Sequence, residues 1–217
     1  MKKAQITLFV IIGLIFVLIF AYVFYLSRFD YELTVGQNTG FKQYFKPCLD
    51  SKIEQGIYQM GLYSGHLSKP TRFELSTIEN SKAELQTYIE NNIKFCTATY
   101  PNIENIKITN PTPNIDIQIF DKIIIKIQDP YSYKLDNEQV TSPDLLYTYD
   151  VRYQTTFNTA TEIINQNGNY ILDSLDLKQN ELLIETGSVY DGELWVIKDK
   201  KSRIKSGSFY FAFKMTN

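Results

Sequence analysis

Apolar residues are continuous at the start of the chain, then take up the period of a helix, and finally alternate as in strands. From Leu8 to Leu26 no residue carries a charge and nearly all are Leu, Ile, Val, Phe or Ala, and counting from Ile6 extends the run across Thr7. Its 21 residues, at ~1.5 Å rise each, make a helix about 30 Å long, the thickness of a bilayer core. Gly36 to Gly40 reads as a flexible joint. A helix is then predicted from Pro47, a residue suited to a first turn, with Leu49, Ile53, Ile57 and Met60 on one face. Gly56 and Gly61 weaken that helix locally, and Gly61 and Gly65 mark its end. Ser76-Thr77-Ile78-Glu79 has the spacing of a capping box and opens a second helix, whose apolar face runs through Ile78, Leu85, Ile89, Ile93 and Cys96.

After Pro101 the period becomes two. Ile115, Ile117 and Ile119 alternate with Asp116, Gln118 and Phe120, and a dense β-branched segment runs from Lys122 to Gln128. With Phe120-Asp121-Lys122 as the turn, this is a β-hairpin closed by Asp129-Pro130. Leu145 to Tyr153 reads as a further strand or as part of a connection. Phe157 to Asn165 suits a short helix capped by Asn158, followed by a turn to Asn169. Strands are expected at Glu181–Glu185, Glu193–Lys198 and Ser208–Met215, with a charged connection from Lys198 to Ser206. Phe209, Phe211 and Phe213 share one side of the last strand and are expected in the core, with Tyr210 and Ala212 opposite.

Charge orients the apolar run. Lys2 and Lys3 precede it, while Arg28, Asp30 and Glu32 follow, so the basic end is expected in the cytoplasm and the remainder outside. Tyr22 and Tyr25 fall where amphipathic rings favour the interface. A cleaved secretory signal is the competing reading, but its apolar region usually spans about 7–15 residues and ends at a small-x-small site. Ala21-Tyr22-Val23 fits such a site poorly, and a retained anchor is the better reading. The net charge of −2 gives no electrostatic footprint for nucleic acid. With 16 Tyr and 14 Phe, the exported part has ample aromatic material for a core.

Cys48 and Cys96 both lie in the exported part. In an oxidising compartment an even pair reads as one disulfide, and two separate buried thiols are the alternative. Cys48 begins the first helix and Cys96 ends the second, so antiparallel packing makes them neighbours. A bridge 48 positions apart is worth roughly 4 kcal/mol if chain entropy sets its value. Neither the spacing of the cysteines nor the count of histidines suggests zinc or dithiol redox chemistry. The single histidine, His66, is expected on an exposed loop. No phosphate-cradling glycine motif and no nucleophile elbow is present, and Gly61-Leu-Tyr-Ser-Gly65 has the wrong spacing for the latter. Asp116, Asp121 and Asp129 follow strand alternation or turns and read as solvated. Asn110-Pro111-Thr112 is blocked as a glycosylation acceptor by its proline. No catalytic residue, cofactor or metal is expected.

Lys2-Lys3-Ala4-Gln5-Ile6-Thr7 and the apolar run resemble the leader of archaeal type IV pilin-like proteins. That resemblance implies cleavage between Ala4 and Gln5. Phe9 stands where such pilins usually carry Glu, and Ala4 where Gly is commonest; the departure at Phe9 favours an anchor over a filament core. Further motifs are similar to those of a group of uncharacterised archaeal single-span membrane proteins. They are the Cys-containing helix before a Gly-x-x-x-Gly turn, Tyr88-Ile89-Glu90 to Cys96, the hairpin leading to a proline, and Asp199 to Ile204 running into Phe209-Tyr-Phe-Ala-Phe213. This resemblance implies a cell-surface protein and no catalytic residues.

The expected fold is α+β: an N-terminal transmembrane helix, an antiparallel helical hairpin and an antiparallel β-sheet ectodomain. Its segments are a cytoplasmic N-terminus or leader (1–5), the span (6–26), a juxtamembrane linker (27–45), the disulfide-bonded hairpin (46–100) and a β-rich part (101–217). The expected function is that of a cell-membrane structural or interaction protein with an extracellular domain, not an enzyme; the alternative is a filament subunit processed after Ala4. Expected partners are the lipid bilayer, other envelope proteins or further copies of the chain.

Overall fold

The computed structural model describes residues 39–70, 74–100, 106–109, 112–135, 138–168, 181–189, 192–204 and 207–215. The apolar run Ile6–Leu26 and the Ala4–Gln5 bond lie outside these. Among the described residues no helix is long and apolar enough to cross a membrane. The chain forms two compact units, Met1–Tyr44 and Phe45–Asn217. The described part of the first is the opening of a helix; the second is an α+β unit.

Helix α1 spans Thr39–Leu62 and α2 spans Ile78–Ala98. Helix α1 therefore starts eight residues before Pro47, and Pro47 lies inside it, removing one backbone hydrogen bond. The expected linker up to residue 45 is thus helical from Thr39. Phe41 and Phe45 extend the four-residue spacing that continues through Leu49, Ile53 and Ile57, and this rhythm outweighs the proline. Leu49, Ile53, Ile57 and Met60 are fully buried, each contributing roughly 1.5–3 kcal/mol relative to an exposed position.

The glycines of α1 prove to be places of close packing. A Cβ at Gly56 would lie 2.9 Å from the Tyr88 ring of α2. Gly61 does not end the helix: a Cβ there would lie 2.2 Å from the backbone oxygen of Tyr210. The helix ends through Gly65, whose φ is 95° and whose N–H reaches the Met60 carbonyl at 2.8 Å. Helix α2 is capped by Thr77 rather than Ser76, with the Thr77 hydroxyl accepting from Asn80 N–H at 3.1 Å. Ser76 is buried instead and donates its N–H to the Ser64 carbonyl. The α1–α2 pair is antiparallel, as expected, because Cys48 meets Cys96 while Gly56 meets Tyr88.

Nine strands are described in three antiparallel sheets of three. The isoleucine hairpin is β2 (Asn114–Ile119) and β3 (Ile123–Gln128), which pair Ile115 with Ile127, Ile117 with Ile125, and Ile119 with Ile123. All six of these side chains are buried. Strand β6 (Leu145–Tyr149) completes that sheet in the order β2-β3-β6, which resolves the segment from Leu145 as a strand. A second sheet, β1 (Ile106–Thr109), β4 (Ser132–Leu135) and β5 (Glu138–Thr141), has the order β1-β4-β5 and was not expected.

The third sheet has the order β7-β8-β9, with β7 at Leu182–Val189, β8 at Gly192–Ile204 and β9 at Gly207–Met215. The charged segment after Lys198, expected as a connection, is strand as far as Ile204. Strand β8 continues to Ile204, with a register shift between Asp199 and Arg203. Phe209, Phe211 and Phe213 are fully buried as expected, but Ala212 is buried as well. Helix α3 (Tyr153–Asn165) begins four residues before Phe157, and Arg152 rather than Asn158 occupies its cap position. It packs on β8 and β9, with the Tyr153 ring edge-on to Phe211 at 5.6 Å and Phe157 edge-on to Phe211 at 6.3 Å.

Candidate functional site

Polar side chains that the fold brings together lie in three places. The first is the helical hairpin. Cys48 and Cys96 form a disulfide with Cα atoms 6.0 Å apart; Cys96 is buried and Cys48 half-buried. Beside it, Lys52 Nζ lies 4.9 Å from the centre of the Phe95 ring. At the opposite end of the hairpin His66 is half-buried, not a free loop residue. Its Nδ1 lies 2.9 Å from Glu84 Oε1, while Glu84 Oε2 accepts the Leu67 N–H at 2.8 Å. Glu84 thereby ties the turn after α1 to the second helix.

The second place is the junction of α1 with β6. The alternation of β6 turns Tyr147 and Tyr149 inward. Tyr149 donates its hydroxyl to Asp50 Oδ1 at 2.7 Å, and Tyr147 donates to the Lys46 carbonyl at 3.4 Å. Burial, and for Tyr149 also the hydrogen bond to Asp50, holds both phenols far above the usual tyrosine range. Tyr131 stacks edge-on against Phe45 at 4.7 Å, and burial pushes its phenol up to about 12. These rings are neutral hydrogen donors at any physiological pH.

The third place joins α3 to β8. Asp199 has no solvent exposure. Its Oδ2 accepts from Arg152 Nε at 3.0 Å and from the Ser202 hydroxyl; its Oδ1 accepts from Arg152 Nη2 and from Lys201 N–H, the latter at 3.0 Å. Ser202 Oγ in turn accepts the Arg152 N–H at 2.8 Å. The fork-on-fork Arg–carboxylate geometry fixes both partners. The register shift of β8 is what folds Ser202 back over Asp199. Here the carboxylate organises backbone: it holds the irregular turn of β8 and the start of α3 in one network.

Asp116 and Asp121 are exposed as expected, Asp116 opposite Lys126 and Asp121 in the β2–β3 turn, while Asp129 precedes Pro130 with a φ of 48°. Among the described residues, no group of His, Cys, Asp and Glu could hold a metal ion. The network at Asp199 was missed in the sequence, where the residue lay in a supposed connection. A signal existed: Trp195, Ile197 and Asp199 fall on alternate positions, and all three are buried. No protein-family model, curated protein or solved structure matches the chain.

Proposed function

We propose that this chain is a single-pass cell-membrane protein whose α+β unit stands outside the cell as a structural or interaction module and performs no catalysis. The observation that carries the reading is the disulfide between the two helices. Persistent disulfides belong to oxidising compartments, and this one closes the hairpin that follows the apolar run Ile6–Leu26. The two support each other: the run supplies a route across the bilayer, and the bridge suits the far side. The polar networks also fit a structural module. Asp199, Glu84 and Asp50 each bind their own chain, in places where they tie elements together.

The test is protease treatment of intact cells that express the full chain. The expected result is digestion of the α+β unit while a cytosolic marker survives. Protection of both would overturn the orientation. Intact-mass measurement of the same material decides whether the run stays in the bilayer: the resemblance of Lys2 to Thr7 to a pilin leader favours a filament only if the first four residues are missing.

A further inference from the structure

Strand β7 is an edge strand with unusual exposure. Among the described residues it pairs with β8 alone, and from Glu185 to Val189 every residue is exposed, whichever face of the sheet it points to. The other edge, β9, lies under α1, where Gly61 meets the Tyr210 carbonyl. Proteins ordinarily blunt a free edge with lysine, proline or a bulge. Strand β7 has none of these three, and its one charged side chain is Glu185. Its sequence is Leu-Leu-Ile-Glu-Thr-Gly-Ser-Val, and its register with β8 is unbroken from Leu182 to Val189.

Lys200 N–H reaches the Glu181 carbonyl at 3.2 Å, so that carbonyl points to β8. Across a trans peptide the N–H of Leu182 then points away. Residues 182, 184, 186 and 188 accordingly direct both backbone groups outward.

We infer that β7 is a self-pairing edge: two copies of this chain join antiparallel through it about a two-fold axis at Thr186, making one six-stranded sheet from two three-stranded ones. Self-complementarity selects both the partner and the register. Centred on Thr186, the pairing sets Leu183 against Val189 of the second copy, and Val189 against its Leu183. These are the strand's two exposed large apolar side chains, each 40% exposed. Glu185 then faces Gly187, where a side chain would meet nothing within 4 Å. Thr186 faces Thr186, a favourable cross-strand pair. Centring on Glu185 would place two carboxylates directly opposite at the closest strand spacing, which is repulsive. Centring on Ile184 would set Leu183 against Glu185 and leave Val189 unpaired. Such an interface is isologous and closes at two copies. It does not depend on export, so it can fail while the proposed function stands.

The experiment uses the full chain in detergent. Thr186→Cys, mildly oxidised, should yield a disulfide-linked dimer, since opposed Cα atoms in this geometry lie within disulfide reach. Leu183→Cys alone should form no covalent dimer, because Val189 lies opposite it, but should cross-link when mixed with Val189→Cys. Thr186→Pro removes an outward N–H, which edge strands tolerate, so the dimer should be lost while the Cys48–Cys96 bridge and the circular dichroism persist. Equal cross-linking of Thr186→Cys and Leu183→Cys would overturn the register. Absence of any dimer with Thr186→Cys would overturn the pairing, whether the edge takes a different protein or none.

Discussion

Asp199 is tolerated in the interior because each of its oxygens accepts a charged or backbone donor together with a second partner. Removing it takes from Arg152, a side chain only 17% exposed, the carboxylate that pairs with its guanidinium. Asp199→Ala should therefore lower unfolding free energy by about 3–5 kcal/mol, the usual cost of breaking a buried pair by one partner. Replacing both Arg152 and Asp199 with Leu should cost less than the sum of the two single changes. Denaturant titration of the four proteins checks this, and additivity would show that the pair is not coupled. At this scale the sequence was readable where one residue had one task. The buried isoleucines and Phe209, Phe211 and Phe213 declared themselves by alternation. Asp199 did not, since a carboxylate between Lys198 and Lys200 looks solvated unless its phase with Ile197 is noticed.

Glycine positions decide how closely the elements approach one another. Gly61→Ala would push a methyl into the Tyr210 backbone oxygen, which cannot swing aside. A loss of about 1–3 kcal/mol is expected from such overpacking. Gly187→Ala meets open space and should fall within about 0.5 kcal/mol of the parent, as surface changes do. Thermal melts of the two variants make the comparison, and equal effects would contradict the close seat of α1 on β9. Helix α2, the hairpin β2–β3 and the buried stripe of α1 were legible because their periods are strong. The four-residue strands β1, β4 and β5 were not: Lys107, Lys134 and Glu138 interrupt any alternation in segments that short. The early start of α3 was hidden by its threonines, poor helix formers in general. Here Thr156, Thr159 and Thr161 return their hydroxyls to carbonyls three or four residues back.

Across the whole unit, buried tyrosines couple stability to alkaline pH. The phenol of Tyr131 rises to about 12 in the folded chain from about 10 when unfolded. Tyr147, Tyr149 and Tyr153 are raised further still, burial being the largest cause for each. A raised pKa means that the folded state keeps its proton more tightly. That stabilisation is complete below about pH 10 and is lost as pH rises through the folded values. Melting temperature should therefore hold up to about pH 10 and then drop steeply, with the tyrosinate absorbance of the buried rings appearing together with unfolding. Ionisation of all tyrosines in a still-folded chain would refute this.

The seat of α1 also bears on how the chain reaches its structure. The Ser64 hydroxyl, just beyond that helix, donates to the Ala212 carbonyl in β9 across 148 positions of sequence. Loop-closure entropy must be met before such a contact forms, and folds governed by distant contacts assemble slowly. The disulfide-bonded helix pair can close early, from residues near one another along the chain. Docking of β9 is therefore expected to limit the rate of folding. Substitutions at that contact should slow refolding, whereas changes confined to the disulfide-bonded pair should act before the barrier.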